Sequence, residues 1–267
     1  MAATGEEWEL IVVDDGALLT SAPEGVRLVS LPQPRGYGPA VNAGVAVAKG
    51  DLLLVLNDDV RLEESTVRIL RDTLLGTSGV FAVSPAIRSP LARCGDEGGK
   101  AAVHRAGLIE IEEVTASEVH PTLYPVGCCY LCSRAVFVEL EGYDDVYAPF
   151  FWEDVDLGYR AWRRGLASLH VPAAVCHHEG SATIGTRPFA ERQRAWYRNW
   201  VLFHLRNLQD PNLRAASLGA WAAYALFDGR PAVKEGLAEA LRLYAEVGRR
   251  DGGGLADAQI VARSSSP

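Results

Sequence analysis

Two apolar runs that each stop at paired aspartates constrain this chain most. Leu10 to Val13 runs into Asp14-Asp15-Gly16, and Leu52 to Leu56 runs into Asn57-Asp58-Asp59. Short apolar stretches closed by turn residues read as buried strands. Between them Val26 to Leu31 is a further strand, and alanine-rich Ala40 to Ala48 is a helix stopped near Gly50. Strands alternating with helices predict an α/β domain, a mostly parallel sheet covered by helices. Ligands of such sheets bind beyond the carboxyl ends of the strands. Carboxylates crowded there repel one another unless a cation or hydrogen-bond donors balance them. Hard divalent cations take oxygen ligands and bridge them to phosphates. Asx residues also simply make turns after strands; two such pairs on neighbouring strands shift the reading towards a site.

The pattern continues with a helix over Glu63–Leu75 and a strand over Val80–Val83 that Pro85 stops. Gly- and charge-rich Ser89 to Lys100 reads as a mobile loop, and Val103 to Leu140 as short strands and turns. Asp154 to Arg164 is a helix with acids at its start, arginines at its end and Gly165 just after. Phe189 to Leu208 is a second long helix, the chain stays helical from Pro211 to near Arg250, and Gly252 to Pro267 is expected to fray.

A net charge of −8 argues against duplex nucleic acid or a strongly anionic membrane as a bulk partner, though a local basic site is compatible with it. Five cysteines, at 94, 128, 129, 132 and 176, form no disulfide framework and fit a reducing cytoplasm. A zinc site at Cys128, Cys129 and Cys132 is disfavoured, because adjacent strand residues point to opposite faces and no second C-x-x-C completes four ligands. The N-terminus carries acids where a signal peptide has a basic region, and the longest uncharged stretch, Ala215 to Phe227, is too short to span a bilayer. A soluble or peripheral cytoplasmic protein is expected. No P-loop is present, and Gly36-Tyr37-Gly38 does not belong to a dinucleotide fingerprint. A bound nucleotide would therefore rely on a metal for its diphosphate charge.

Several segments taken in order resemble a known family. They are Ile11-Val12-Val13-Asp14-Asp15-Gly16, Gly36 to Gly44, Gly50-Asp51, Leu56-Asn57-Asp58-Asp59-Val60, Gly142-Tyr143-Asp144, Phe151-Trp152-Glu153-Asp154-Val155-Asp156-Leu157 and His178-Glu179-Gly180-Ser181-Ala182-Thr183. Together they are similar to family 2 glycosyltransferases of the GT-A fold, and most of all to the rhamnosyltransferase-like branch, over roughly residues 8 to 208. The resemblance implies a catalytic domain over 1–208 and a helical extension over 209–267. It implies an inverting transferase that moves a sugar from a nucleotide-diphosphate donor, dTDP-L-rhamnose or a UDP-sugar. The acceptor would be a hydroxyl of a glycan, a lipid-linked saccharide or a small molecule.

The resemblance also implies roles. Asp14, Asp15, Arg35, Gly38, Asn42, Asn57 and Asp58 belong to the nucleotide and donor site, with Asp15 on the base. Asp59 and His178 hold Mn2+ or Mg2+; Asn57 stands where many relatives have another acid. Asp154 is the general base with Glu153 beside it, and Phe151, Trp152 and Gly127 meet the acceptor. The C-terminal helices are candidates for peripheral membrane contact at the inner face of the membrane, or for a homo-oligomer interface.

The residues are compatible with that chemistry. Inverting transfer needs a base within reach of the acceptor hydroxyl and a cation on the leaving diphosphate. Asp154 in the first turn of a helix is favoured as an anion. The blander reading makes Glu153, Asp154 and Asp156 dipole-complementing acids, with Asp156 and Arg160 a surface pair. Only one of His177 and His178 is expected to face the site, and the following Gly-Ser-Ala-Thr selects His178. Arg198 reads as a surface arginine; the alternative reading pairs it with a phosphate.

A second hypothesis is a catalytically degenerate GT-A-fold scaffold. The family has a further strand ahead of the Asp14 strand, and only 13 residues precede Asp14 here. Ala258 to Ala262 is the candidate filler for that strand. A nucleotidyltransferase would show a Gly-rich loop with a basic residue near the N-terminus, which this chain lacks.

Overall fold

The computed structural model describes residues 7–90, 95–179 and 184–265. β1 (Leu10–Asp15) pairs in parallel with β2 (Val26–Leu31), and α1 (Tyr37–Val47) leads on to β3 (Leu52–Leu56). β4 (Val60–Leu62), α2 (Thr66–Gly76) and β5 (Val80–Arg88) follow, then the hairpin of β6 (Lys100–Arg105) and β7 (Leu108–Glu113). β8 (His120–Thr122), β9 (Cys129–Ser133), α3 (Arg134–Glu139), α4 (Glu153–Arg163) and β10 (Ala167–His178) complete the sheet layer. Four helices close the described chain: α5 (Phe189–Asn207), α6 (Pro211–Phe227), α7 (Pro231–Val247) and α8 (Asp257–Ser264).

The α/β class holds, but the main sheet is mixed. Its order is β3-β9-β5-β10-β4, with β8 on β10. β3, β5 and β10 run one way, and β9 lies antiparallel between β3 and β5. β9 enters from a short connection rather than a crossover helix, so it need not run parallel. β1 and β2 form a sheet of their own, and among the described residues no strand joins β1 to β3.

Three local expectations are corrected. Pro85 does not stop β5, which continues to Arg88; Pro85 faces Val171, where β10 bulges and the register shifts to Val175. A bulge is where a strand tolerates a residue without an N–H. Glu63 and Glu64 precede α2 instead of forming its first turn. The Ser89–Lys100 segment is anchored at its far end: buried Asp96 accepts from Ile87 N at 2.9 Å and Gly98 N at 2.7 Å, and its other oxygen meets His170 Nε2 at 2.9 Å. Cys94 and Gly180–Thr183 lie outside the described residues.

The C-terminus does not fray after Gly252. Residues 257–264 form α8, so Ala258 to Ala262 are helical and fill no strand. Eight residues are too few for a helix on its own. Ile260 is fully buried in the aromatic core, and such burial contributes on the order of 2–3 kcal/mol. That core gathers Trp152, Trp162, Trp200, Phe203 and Trp221 from α4, α5 and α6. It lies directly under the turn that carries the predicted base.

Candidate active site

The end of β1 organises the predicted nucleotide side. Asp14 Oδ2 accepts from Leu19 N at 2.6 Å and shapes its own turn. Asp15 accepts from Arg35 N at 2.6 Å and Gly36 N at 2.8 Å, holding the loop that opens α1. Gly36 has φ 95°, and a Cβ there would strike the Pro149 backbone. Only glycine permits both the left-handed backbone and that approach. Gly38 packs against Tyr143, and Arg35 Nη2 reaches Asp145 at 2.7 Å. Asn42 turns elsewhere. Its amide exchanges bonds with the backbone of Tyr143, at 2.8 and 3.0 Å, and it lines a polar cavity with Asp144 and Arg206.

β4 and β10 bring the next pair together. His178 lies opposite Val60, so its Nε2 sits 3.3 Å from Asp59 Oδ1, with both side chains 13 % exposed. Asp59 Oδ1 and His178 Nδ1 are both buried without a hydrogen-bond partner. A shielded carboxylate oxygen and an imidazole with spare capacity fit a divalent cation whose remaining ligands come from a diphosphate and water. Strand alternation sends the adjacent His177 the other way, to Glu63 at 3.1 Å. Asp58 is exposed, and Asn57 faces a cavity of about 220 Å3.

Asp154 lines the same cavity, with Tyr37, Gly127, Phe151, Trp152 and Trp196. Its carboxylate accepts from Val155 N at 2.8 Å and more weakly from Gly127 N at 3.3 Å. Burial outweighs these bonds and pushes the carboxyl up to about 6. Glu153 beside it is buried with Oε2 unpartnered; burial and then the Asp154 charge push it well above the carboxylate range. Two neighbouring carboxyls raised in this way resist ionising together. One of them ionising near neutral pH is suited to accept a proton. Gly127 O accepts from the Tyr37 hydroxyl, and Cys128 at the cavity wall is a thiol kept protonated by burial.

The turn before α4 is strained and held from outside. Phe151 and Trp152 both have positive φ, 76° and 71°. Non-glycine residues there cost on the order of 1–3 kcal/mol each and persist only where surroundings fix them. Asn199, fully buried on α5, donates to the carbonyls of Tyr147, Phe150 and Phe151 at 2.7, 3.0 and 2.8 Å. Arg198 donates to the carbonyls of Tyr147 and Ala148 and pairs with Glu239 at 3.1 Å. Arg198 is therefore not a surface residue but a buried clamp, corrected because α5 packs that face onto the loop. The Asp156–Arg160 pair is also not at the surface. Asp156 is fully buried and is shared by Arg160 at 2.7 Å, Asn207 at 2.8 Å and Tyr147 at 3.1 Å. Burial would raise its carboxyl, but Arg160, Arg250 and Asn207 prevail and hold it at about 2.

The model of glycosyl transferase family 2 matches residues 1–95. The N-acetylglucosaminyl-diphospho-decaprenol L-rhamnosyltransferase of Mycobacterium tuberculosis is 29 % identical over 226 residues, 66 % of this chain and 72 % of that protein. Among solved structures, GalNAc-T7 with UDP, GalNAc and Mn2+ superposes with a TM-score of 0.56 at 16 % identity. That match covers 84 % of this chain, which spans about half, 52 %, of the GalNAc-T7 structure. S. aureus TarS 1–349 with UDP-GlcNAc gives 0.53 at 12 % identity, over 88 % of this chain and 72 % of that one. Over those first 95 residues the chain is similar to family 2 glycosyltransferases. Its fold is that of GT-A enzymes.

The structure brings Asn57, Gly127, Phe151, Trp152, Glu153 and Asp154 to one cavity, and pairs Asp59 with His178 two residues after Asn57. It does not bring Asn42 there. Sequence reasoning missed Asn199 as a support, and Trp196, Tyr37 and Ile111 as cavity walls. Trp196 had a signal: it lies two residues before the Arg198-Asn199 pair, on the helix that packs beneath Phe151.

Proposed function

We propose that this protein moves a sugar, with inversion, from a nucleotide-diphosphate donor to a hydroxyl held in the cavity beside Asp154. The observation that carries the reading is the buried carboxyl of Asp154 in a cavity that Asn57 also lines, two residues before the Asp59 that pairs with His178. The donor occupies the loop that Asp15 holds open, with Arg35, Gly38 and Asp58 around it and Asp14 shaping the turn beneath. Phe151, Trp152 and Trp196 offer apolar faces to the acceptor sugar.

Asp154 takes the acceptor proton as the hydroxyl oxygen bonds to the anomeric carbon. The bond from that carbon to the diphosphate oxygen breaks, and its electron pair leaves on the phosphate. Inversion follows from attack opposite the leaving group. Asp59 and His178 are suited to hold a divalent cation, Mn2+ or Mg2+, which when bound neutralises charge on the diphosphate. The similarity to a transferase named for a decaprenol-linked substrate supports a lipid-linked saccharide acceptor and a rhamnosyl donor. Residues 1–208 form the catalytic domain in this reading, and 209–267 form an extension that buttresses it.

The split between the β1–β2 pair and the main sheet favours a second reading, a sugar-nucleotide-binding scaffold without turnover. Incubation of the full chain with dTDP-L-rhamnose or UDP-sugars, Mn2+ and a polyprenyl-diphosphate-linked GlcNAc decides between them. Product of inverted anomeric configuration that Asp154→Asn abolishes is expected. Donor binding without any product assigns the scaffold, and undiminished product from Asp154→Asn overturns the assigned base.

A further inference from the structure

Helix α6 is apolar on both sides. It turns Ser217 and Trp221 inward, where Trp221 meets Trp200 edge-on at 4.8 Å. Its outer face carries Ala215, Leu218, Ala222 and Leu226, all exposed, and no side chain from Ala215 to Phe227 is charged. Leu226 is 73 % exposed and Phe227 at its tip 85 %. A surface helix of a globular protein normally turns charges to water on that face. Contiguous exposed apolar surface of this kind marks an interaction site.

Two observations indicate what covers it. The first is a basic fringe. Arg230 and Lys234 flank the tip of α6, and Arg187, Arg192 and Arg194 flank the exposed Phe189 at the start of α5. Three of these cations are paired with acids, Arg230 with Asp228, Arg187 with Glu191 and Arg194 with Glu239; with Glu235 counted the edge carries five cations to four acids, on a chain of net charge −8. Arg230 ties the two segments, donating to Tyr197 at 2.9 Å and stacking over its ring. The second is continuity with the acceptor cavity. Trp196, 41 % exposed, lines that cavity, and the next residue, Tyr197, packs on Tyr224 of α6. An apolar helix face rimmed by aromatics and by Arg or Lys is the composition of helices lying in a membrane interface.

We infer that α6, with Phe227 and Phe189, rests on the surface of a bilayer containing anionic lipid, so that the acceptor cavity opens at the headgroup level. The inference deepens the lipid-linked acceptor proposed above and rests on that reading for the acceptor alone; the contact itself rests on α6 and its fringe.

Flotation of the full chain with vesicles tests it without donor or acceptor. Binding is expected to equimolar phosphatidylcholine–phosphatidylglycerol vesicles, weaker in high salt and weaker still to phosphatidylcholine alone. Leu226→Glu with Phe227→Glu, and separately Leu218→Glu, should each lower the bound fraction about tenfold. Both leave the melting temperature and donor binding unchanged, because these side chains are exposed and none of them lines the cavity. Wild-type protein that does not float, or variants that float equally, overturn the inference. So does a dimer in solution that Leu226→Glu dissolves while vesicles bind neither form. Vesicle binding without sugar transfer sinks the proposed function but not the contact, and transfer to a soluble acceptor by a chain that never floats does the reverse.

Discussion

Asn199 donates to the carbonyl oxygen of Phe151 across 2.8 Å, joining α5 to the turn that aims Asp154. The same amide serves the carbonyls of Tyr147 and Phe150, so one side chain fixes a turn holding two residues with positive φ. Asn199→Ala leaves buried carbonyls without a donor, at about 1–3 kcal/mol for each that water does not reach. We expect kcat to fall at least about tenfold from misplacement of the base while the donor Kd stays within about twofold, since the donor loop is held by Asp15 instead. Steady-state kinetics beside nucleotide titration reads both. A normal kcat in a variant with a lowered melting temperature would reduce Asn199 to a structural role.

If Asp154 is the base, it sets the pH dependence of transfer. Its carboxyl, raised by burial to about 6, must be ionised to take a proton, so kcat should fall as pH drops through about 6 and level off above it. The stability sign is opposite. A carboxyl raised in the folded state disfavours the folded form once pH exceeds the unfolded value near 4, and fully so above about 6. Asp154→Asn should therefore abolish transfer yet raise stability at pH 8 by on the order of 1–3 kcal/mol, with little gain at pH 4. Urea melts at both pH values check this; a loss of stability at pH 8 would contradict the burial argument.

The strands and helices that position these groups were legible because they are local. Val26–Leu31 and Leu52–Leu56 match their predicted limits residue for residue, as turn residues bound each apolar run. Pro85 and the C-terminal α8 were not, since a bulge in a distant strand accommodates the first and burial against the aromatic core stabilises the second. The same division holds in the site. Asp154 was visible through its motif, whereas Arg198 and Asn199 show their purpose only against carbonyls about 50 residues earlier in the chain, which no local pattern encodes.

The two neighbouring histidines should separate cleanly. His178 faces Asp59 at 3.3 Å, and His177 faces exposed Glu63. If Asp59 and His178 hold the cation, EDTA should abolish transfer and Mn2+ restore it. His178→Ala should raise the Mn2+ concentration for half-maximal activity about tenfold or more, and His177→Ala should leave it unchanged. Equal effects of the two substitutions would remove His178 from the metal site.

Asp257 ties the C-terminal segment to the helix that carries Asp154. It is 1 % exposed and accepts from Tyr159 at 2.6 Å, from Gln209 N and Asp210 N at 2.7 Å each, and from the Arg163 guanidinium. Burial would raise its carboxyl, but the Asp210 N–H, the Tyr159 hydroxyl and Arg163 prevail and lower it. Asp257→Ala leaves Arg163 buried without its counter-charge, and loss of one partner of a buried pair costs about 3–5 kcal/mol. Because the folded carboxyl is depressed, its stabilisation is complete above the unfolded value near 4 and is lost as pH falls through the folded value. The deficit of Asp257→Ala relative to wild type should be full at pH 7 and shrink steadily below about pH 4. Glu110→Ala, which breaks the exposed pair with Arg105, should leave stability close to that of the wild type. Urea unfolding of the three proteins at pH 7 and pH 3 measures each difference. An Asp257→Ala deficit no larger than that of Glu110→Ala would show that α8 does not brace α4.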